Sequence, residues 1–135
     1  MFRFSGLLVF SGFILTGLLG CGGAASYQVE GVVTLDNTAL AEGDIMFIPV
    51  DKKSGPEGGK IKEGKYSLKA PAGDMRVEVR AVRATGKTTP SAAGPGAPGD
   101  PVYESIIPER YNTNSELKAS VGSGKTKFDF ALKSK

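Results

Sequence analysis

Cys21 is the one thiol in the chain, and it closes a long apolar run directly after Leu18-Leu19-Gly20. The 135 residues include no His and no Trp. Without His, neither Ser-His-Asp nor Cys-His catalysis is available. A zinc site would have to be built from carboxylates, an unusual ligand set for that ion, so we expect no metal and no cofactor. A lone Cys forms no internal disulfide. What remains for acid–base work is carboxylates, and a Glu104–Glu109 pair sharing one cleft would be the minimum. The formal charge of +3 is too small to point to nucleic acid.

Several motif matches do not survive a check of their context. Ala119-x4-Gly124-Lys125-Thr126 and Ala81-x4-Gly86-Lys87-Thr88 fit a loose phosphate-loop pattern. Such a loop needs a helix after it, so that amides and dipole meet the phosphates. Residues 127–133 alternate like a strand, and residues 89–101 hold four Pro. Gly94-Pro95-Gly96-Ala97-Pro98-Gly99 spells a dinucleotide fingerprint, but its prolines lack the N–H donors that the fingerprint supplies. Ser115 and Lys118 stand three apart, which on a strand puts them on opposite faces.

Ile106-Ile107-Pro108-Glu109-Arg110-Tyr111-Asn112 is the segment with the most recognition chemistry. Pro108 fixes its own φ and biases Ile107 to an extended shape. Glu109, Arg110, Tyr111 and Asn112 offer two charges, a ring and an amide, a candidate contact surface for a protein or a glycan. The structural alternative is a strand-entry loop in which Ile107 and Tyr111 pack and Asn112 makes a turn bond.

The first twenty residues read as an address rather than a fold. Arg3 forms a short positive region, and Phe4 to Leu19 is an uncharged run of about 16 residues, short of the ~20 of a spanning helix. Leu18-Leu19-Gly20-Cys21 resembles the bacterial lipobox. The resemblance implies a signal peptide over 1–20, cleavage before Cys21, and acylation of Cys21 with palmitate-type chains. Several buried chains make such an anchor stable. A thioether-linked lipid also removes a thiol that would be reactive in an oxidising compartment. Residues 21–26 then serve as lipidated Cys and flexible tether. Gly22 in place of Asp favours the outer membrane over the inner one, by resemblance to sorting rules.

Positioning falls to β-strands, since no mature stretch holds a helical period. Val29, Gly31, Val33 and Leu35 alternate with Glu30, Val32 and Thr34, Ile45 and Phe47 with Met46 and Ile48, and Val77, Val79 and Ala81 with Glu78 and Arg80. Leu117, Ala119 and Val121, then Phe128, Phe130 and Leu132, do the same near the end. Asp36-Asn37-Thr38, Glu63-Gly64-Lys65 and Pro71-Ala72-Gly73-Asp74 carry turn chemistry. Residues 85–101 hold four of the eight prolines and almost nothing to bury, so we expect a disordered loop there. The pattern predicts an all-β domain over 27–135, a seven-strand (six to eight) antiparallel β-sandwich.

Val29-Glu30-Gly31-Val32-Val33-Thr34-Leu35, Gly43-Asp44-Ile45-Met46-Phe47-Ile48-Pro49-Val50 and Gly64-Lys65-Tyr66-Ser67-Leu68 through Val79 resemble a carboxypeptidase regulatory-like domain, a transthyretin-like (prealbumin-like) sandwich. The tail from Ile107 to Asn112 and on to Phe130 resembles a group of small planctomycete-type lipoproteins. The resemblance spans about residues 28–133 and implies fold more than chemistry. It points to a membrane-anchored, exported, non-catalytic structural or protein-interaction module at the cell envelope. Its partners would be the bilayer, through acylated Cys21, and an envelope protein or glycan, with no nucleic acid. The alternative is a carbohydrate or small-ligand binding module, which would show two or more exposed aromatics such as Tyr103 and Tyr111 side by side.

Overall fold

A computed structural model describes residues 25–135. The strands are β1 (Ser26–Leu35), β2 (Thr38–Ala39), β3 (Glu42–Pro49), β4 (Glu57–Lys62), β5 (Lys65–Pro71), β6 (Gly73–Arg80), β7 (Val82–Thr89), β8 (Asp100–Ser105), β9 (Leu117–Val121) and β10 (Phe130–Leu132). One 3-10 turn, Glu109–Tyr111, is the sole helical element among the described residues. Eight strands form one sheet in the order β10-β1-β5-β4-β3-β6-β9, with β2 beside β1. Strands β7 and β8 form a separate two-stranded sheet.

Period-two patterning explains the large sheet. Val29, Val33, Ile45, Phe47, Tyr66, Leu68, Val77, Val79, Ala119, Val121, Phe130 and Leu132 are all buried, while their strand neighbours are mostly exposed. Two tight turns set the register. Asp36-Asn37 and Glu63-Gly64 both hold positive φ at each central position, the geometry of a hairpin turn that matches strand twist.

The sheet is curled. In a flat sheet β3 would lie roughly 19 Å from β10, four strand spacings away. Instead the Phe47 ring on β3 stands 6.4 Å from Phe130 on β10 and 6.0 Å from Tyr66 on β5. Gly31 permits this closure. A Cβ there would meet the Phe128 carbonyl oxygen at 1.8 Å, and the Tyr66 hydroxyl donates to that same oxygen at 2.6 Å. Burial pushes the Tyr66 hydroxyl pKa upward, with the Asp129 charge adding to it, so the donor stays protonated.

The structure departs from the sequence expectation in three places. The described residues hold ten strands rather than six to eight. Part of the excess is β4, which Glu57-Gly-Gly-Lys-Ile-Lys62 hides because Ile61 is its one buried side chain. The antiparallel pattern is broken once, where β10 runs parallel to β1 with Val33 opposite Phe130. Residues 85–101 are not a structureless loop. Thr85–Thr89 continue β7, Asp100 and Pro101 begin β8, and only residues 90–99 connect them. The ladder needs no burial there, since Arg83 faces Glu104, Ala84 faces Tyr103 and Thr88 faces Pro101. Pro101 lacks a donor but sits on a strand with a free edge, where none is required.

Candidate functional site

The strand directions sort the molecule into two poles. The chain enters at Ala25, whose carbonyl accepts the Ala72 N–H at 2.9 Å, and Ser26 pairs with Pro71. From Gly73 at that pole, β6 carries the chain roughly 25 Å to Arg80 at the other. The hairpin of β7 and β8 is rooted at this far pole, where Val82 pairs with Ser105 and the Ile106 N–H reaches the Ala81 carbonyl. The far pole also collects Asp36, Glu42, Lys62, the Glu109–Tyr111 turn and Lys133.

Both strands of the hairpin are exposed along nearly their whole length, with Val82 at 62% and Tyr103 at 59%. Register places Val82, Ala84 and Tyr103 on one face and the Arg83–Glu104 ion pair, 2.6 Å, on the other. The edges are defended against further pairing. A register shift between Ala84 and Thr88, with Gly86 at φ +76°, breaks the β7 edge, and Pro101 interrupts the β8 edge. What the hairpin offers a partner is therefore a face rather than an edge.

A groove of about 340 Å³ opens at the hairpin root, lined by Glu42, Asp44, Lys60, Lys62, Arg80 and Val82. Its charges are already matched. Lys60 is ion-paired with Asp44, Glu42 faces Lys62 across the ladder, and Arg80 reaches Glu78 at 3.0 Å. Glu78 is itself buried, 6% exposed, because Arg76 and Arg80 clasp it from both sides along the same strand face. The Arg76-x-Glu78-x-Arg80 spacing was the sequence signal for that clasp, since residues two apart share a face.

The predicted contact segment lies at this pole, with Glu109 and Arg110 exposed, Tyr111 half-buried and Asn112 buried. Asn112 is buried, and its Nδ2 donates to the Ile107 carbonyl at 3.2 Å, while its Oδ1 accepts the Thr113 N–H. The Arg110 guanidinium donates to the Lys133 carbonyl at 2.6 Å and lies 4.8 Å over the Tyr111 ring. Tyr111 is half-buried and its hydroxyl accepts the Lys133 N–H at 3.2 Å. The neighbouring Arg110 guanidinium draws the Tyr111 hydroxyl pKa below the usual phenol value, against an opposing push from burial, and the Lys133 amide adds to the lowering. Glu109 accepts from Asn114 at 3.5 Å. Asp36 completes the set by accepting both the backbone N–H (3.0 Å) and the hydroxyl of Ser134. Together these groups latch the end of β10 onto the domain; Ile107 is buried and Tyr111 packs on the core, as in the strand-entry alternative, while Glu109 and Arg110 stay exposed.

The other candidates separate. Glu104 is paired with Arg83 on the hairpin and Glu109 with Asn114 on the turn, so they share neither partner nor groove. Tyr103 is exposed on the hairpin, and Tyr111 is half-buried on the turn, held by Arg110 and Lys133. Ser115 is buried, donating to the Val77 carbonyl and accepting the Leu117 N–H, whereas Lys118 is exposed. Gly86-Lys87-Thr88 sits inside β7, and no helix follows Gly124-Lys125-Thr126. Among the described residues no three His, Cys, Asp or Glu side chains group to hold a metal ion. Leu18, Leu19, Gly20 and Cys21, with the rest of the expected signal segment, lie outside the described residues. No protein-family model, no curated protein and no solved structure matches the chain.

Proposed function

We propose that this chain is an exported lipoprotein, anchored through acylated Cys21, whose domain is a transthyretin-like sandwich acting as a non-catalytic interaction module at the cell envelope. The order of Arg3, the apolar run and Leu18-Leu19-Gly20-Cys21 supports the anchor. The observation that carries the interaction role is the opposition of the two poles. The chain enters at Ala25, and the exposed hairpin is rooted at the other end of β6. A protein tethered at Cys21 would hold Val82, Ala84 and Tyr103 away from the bilayer, toward a protein partner. Gly22 supports outer-membrane placement.

Fractionation of cells expressing the full chain tests the anchor. Wild-type protein should sediment with membranes, come off only in detergent and incorporate labelled palmitate, while Cys21→Ala should incorporate none. Wild-type protein recovered free of membranes would overturn the reading.

A further inference from the structure

The pole where the chain enters carries its own exposed apolar residue. Val50, directly after β3, is 61% exposed. A single exposed Val is ordinary on a protein surface, so its place is what matters. The Val50 N–H donates to the Asp74 carbonyl at 3.0 Å, two residues from Ala72, whose N–H is bonded to the Ala25 carbonyl. Those steps put Val50 within about 17 Å of Ala25, a distance the five residues from Cys21 to Ala25 can also span when extended.

The loop around Val50 is built rather than slack. Lys52 adopts φ +57° and returns its N–H to the Pro49 carbonyl at 3.3 Å, and the Lys53 N–H is held by Asp51 Oδ1 at 3.0 Å. Asp51 thus caps the loop and keeps its charge. The other acids at this pole are Asp74, which accepts the Ser120 hydroxyl, and exposed Glu57, opposite Phe47. The exposed cations Lys52 and Lys53 follow Val50 after Asp51, and exposed Lys125 stands on the neighbouring turn that follows β9. The remaining strongly exposed apolar side chains at a pole, Val82 and Tyr103, belong to the hairpin at the opposite end.

We infer that this pole is a second membrane contact, in which Val50 enters the headgroup boundary of a bilayer containing anionic lipids and Lys52 and Lys53 meet their phosphates. The inference rests on the anchored reading above and adds an orientation to it. With both Cys21 and Val50 on the surface, β6 points away from the bilayer and the hairpin root stands roughly 25 Å from it.

The absence of Trp from the chain makes the test clean. Full-length acylated Val50→Trp and Val82→Trp proteins are reconstituted on vesicles of phosphatidylethanolamine with phosphatidylglycerol, with mass spectrometry of Cys21 on the same samples. Val50→Trp should emit at shorter wavelength on vesicles than in detergent-free solution and be quenched by lipid brominated near the headgroup. Val82→Trp should do neither. Lys52→Gln and Lys53→Gln in the Val50→Trp background should each lower the quenched fraction, by up to about fivefold, on anionic vesicles. Acylated Cys21 with water-like, unquenched Val50→Trp emission would overturn this inference alone. An unmodified Cys21 would overturn it together with the anchored reading.

Discussion

Strands β6 and β7 have eight residues each and are separated by Ala81, yet they live in different environments. In β6, Met75, Val77 and Val79 are buried and even Glu78 is covered. In β7 only Thr85 is partly shielded. The difference lies in side chains rather than backbone. Strand β6 alternates apolar residues that the curled sheet can bury, and β7 offers Arg83, Thr85, Lys87 and Thr89 around small residues. Strand β7 holds its shape through the ladder to β8, the Arg83–Glu104 pair and the Thr85 hydroxyl on the Val102 carbonyl at 3.0 Å. A ribbon held by so little surface opens far more readily than the sheet beside it.

Truncating one residue in each region should break the two apart most strongly. Phe47→Ala removes a ring that touches Tyr66, Phe128 and Phe130, and should cost about 3–5 kcal/mol in a denaturant melt. Tyr103→Ala on the hairpin should stay within about 0.5 kcal/mol of wild type. Equal losses would mean that the hairpin packs on the domain after all.

Next in size come two sites where the sheet closes on itself. Gly31→Ala forces a Cβ onto the Phe128 backbone, and the strained closure should cost at least about 1–3 kcal/mol by the same melt. Ser115→Ala strips the Val77 carbonyl and the Leu117 N–H of their shared partner, and should cost about 1–3 kcal/mol. Either change measuring as neutral would show that β9 and residues 126–130 are looser than their bonds imply.

How much of this was legible in the sequence depended on what did the specifying. The alternation of Val77, Val79 and Ala81, or of Phe128, Phe130 and Leu132, marked strands because burial on one face demands that period. Asp36-Asn37 and Glu63-Gly64 marked turns because few residues accept positive φ. Strand β4 was silent because one Ile cannot make a pattern. Strands β7 and β8 were masked by the Gly and Pro residues between them, although Thr88-Thr89 and Val102-Tyr103 have the side chains of strands. The parallel pairing of β10 with β1 depends on a partner about a hundred residues away, which local pattern does not report. The segment Glu109–Asn112 was visible as rich in polar chemistry. Its use as a latch required Lys133 and Ser134 to be seen beside Arg110, Tyr111 and Asp36.

The smallest expected effect concerns that latch. Hydrogen bonds from the Ser134 hydroxyl and amide hold the Asp36 carboxyl below its ordinary value of 3.8, with the charges of Lys133 and Arg110 adding to it. A carboxylate lowered on folding stabilises the folded state above its unfolded pKa and loses that contribution as pH falls through its folded pKa. The Asp36–Ser134 part of the latch should therefore stay closed at neutral pH and open only as pH falls through the folded pKa, which lies below 3.8. The Ser134 amide resonance should report that opening, and Asp36→Asn should abolish its titration while leaving the β6 amides unchanged.

Whether Cys21 anchors the chain decides whether the hairpin faces away from a membrane. Intact-mass and peptide mass spectrometry of the protein extracted from membranes answers this directly. The mature chain should begin at Cys21 and carry diacylglycerol on the thiol, with or without a further acyl chain on the amine. A chain that retains residues 1–20, or one cleaved elsewhere with Cys21 unmodified, would contradict it.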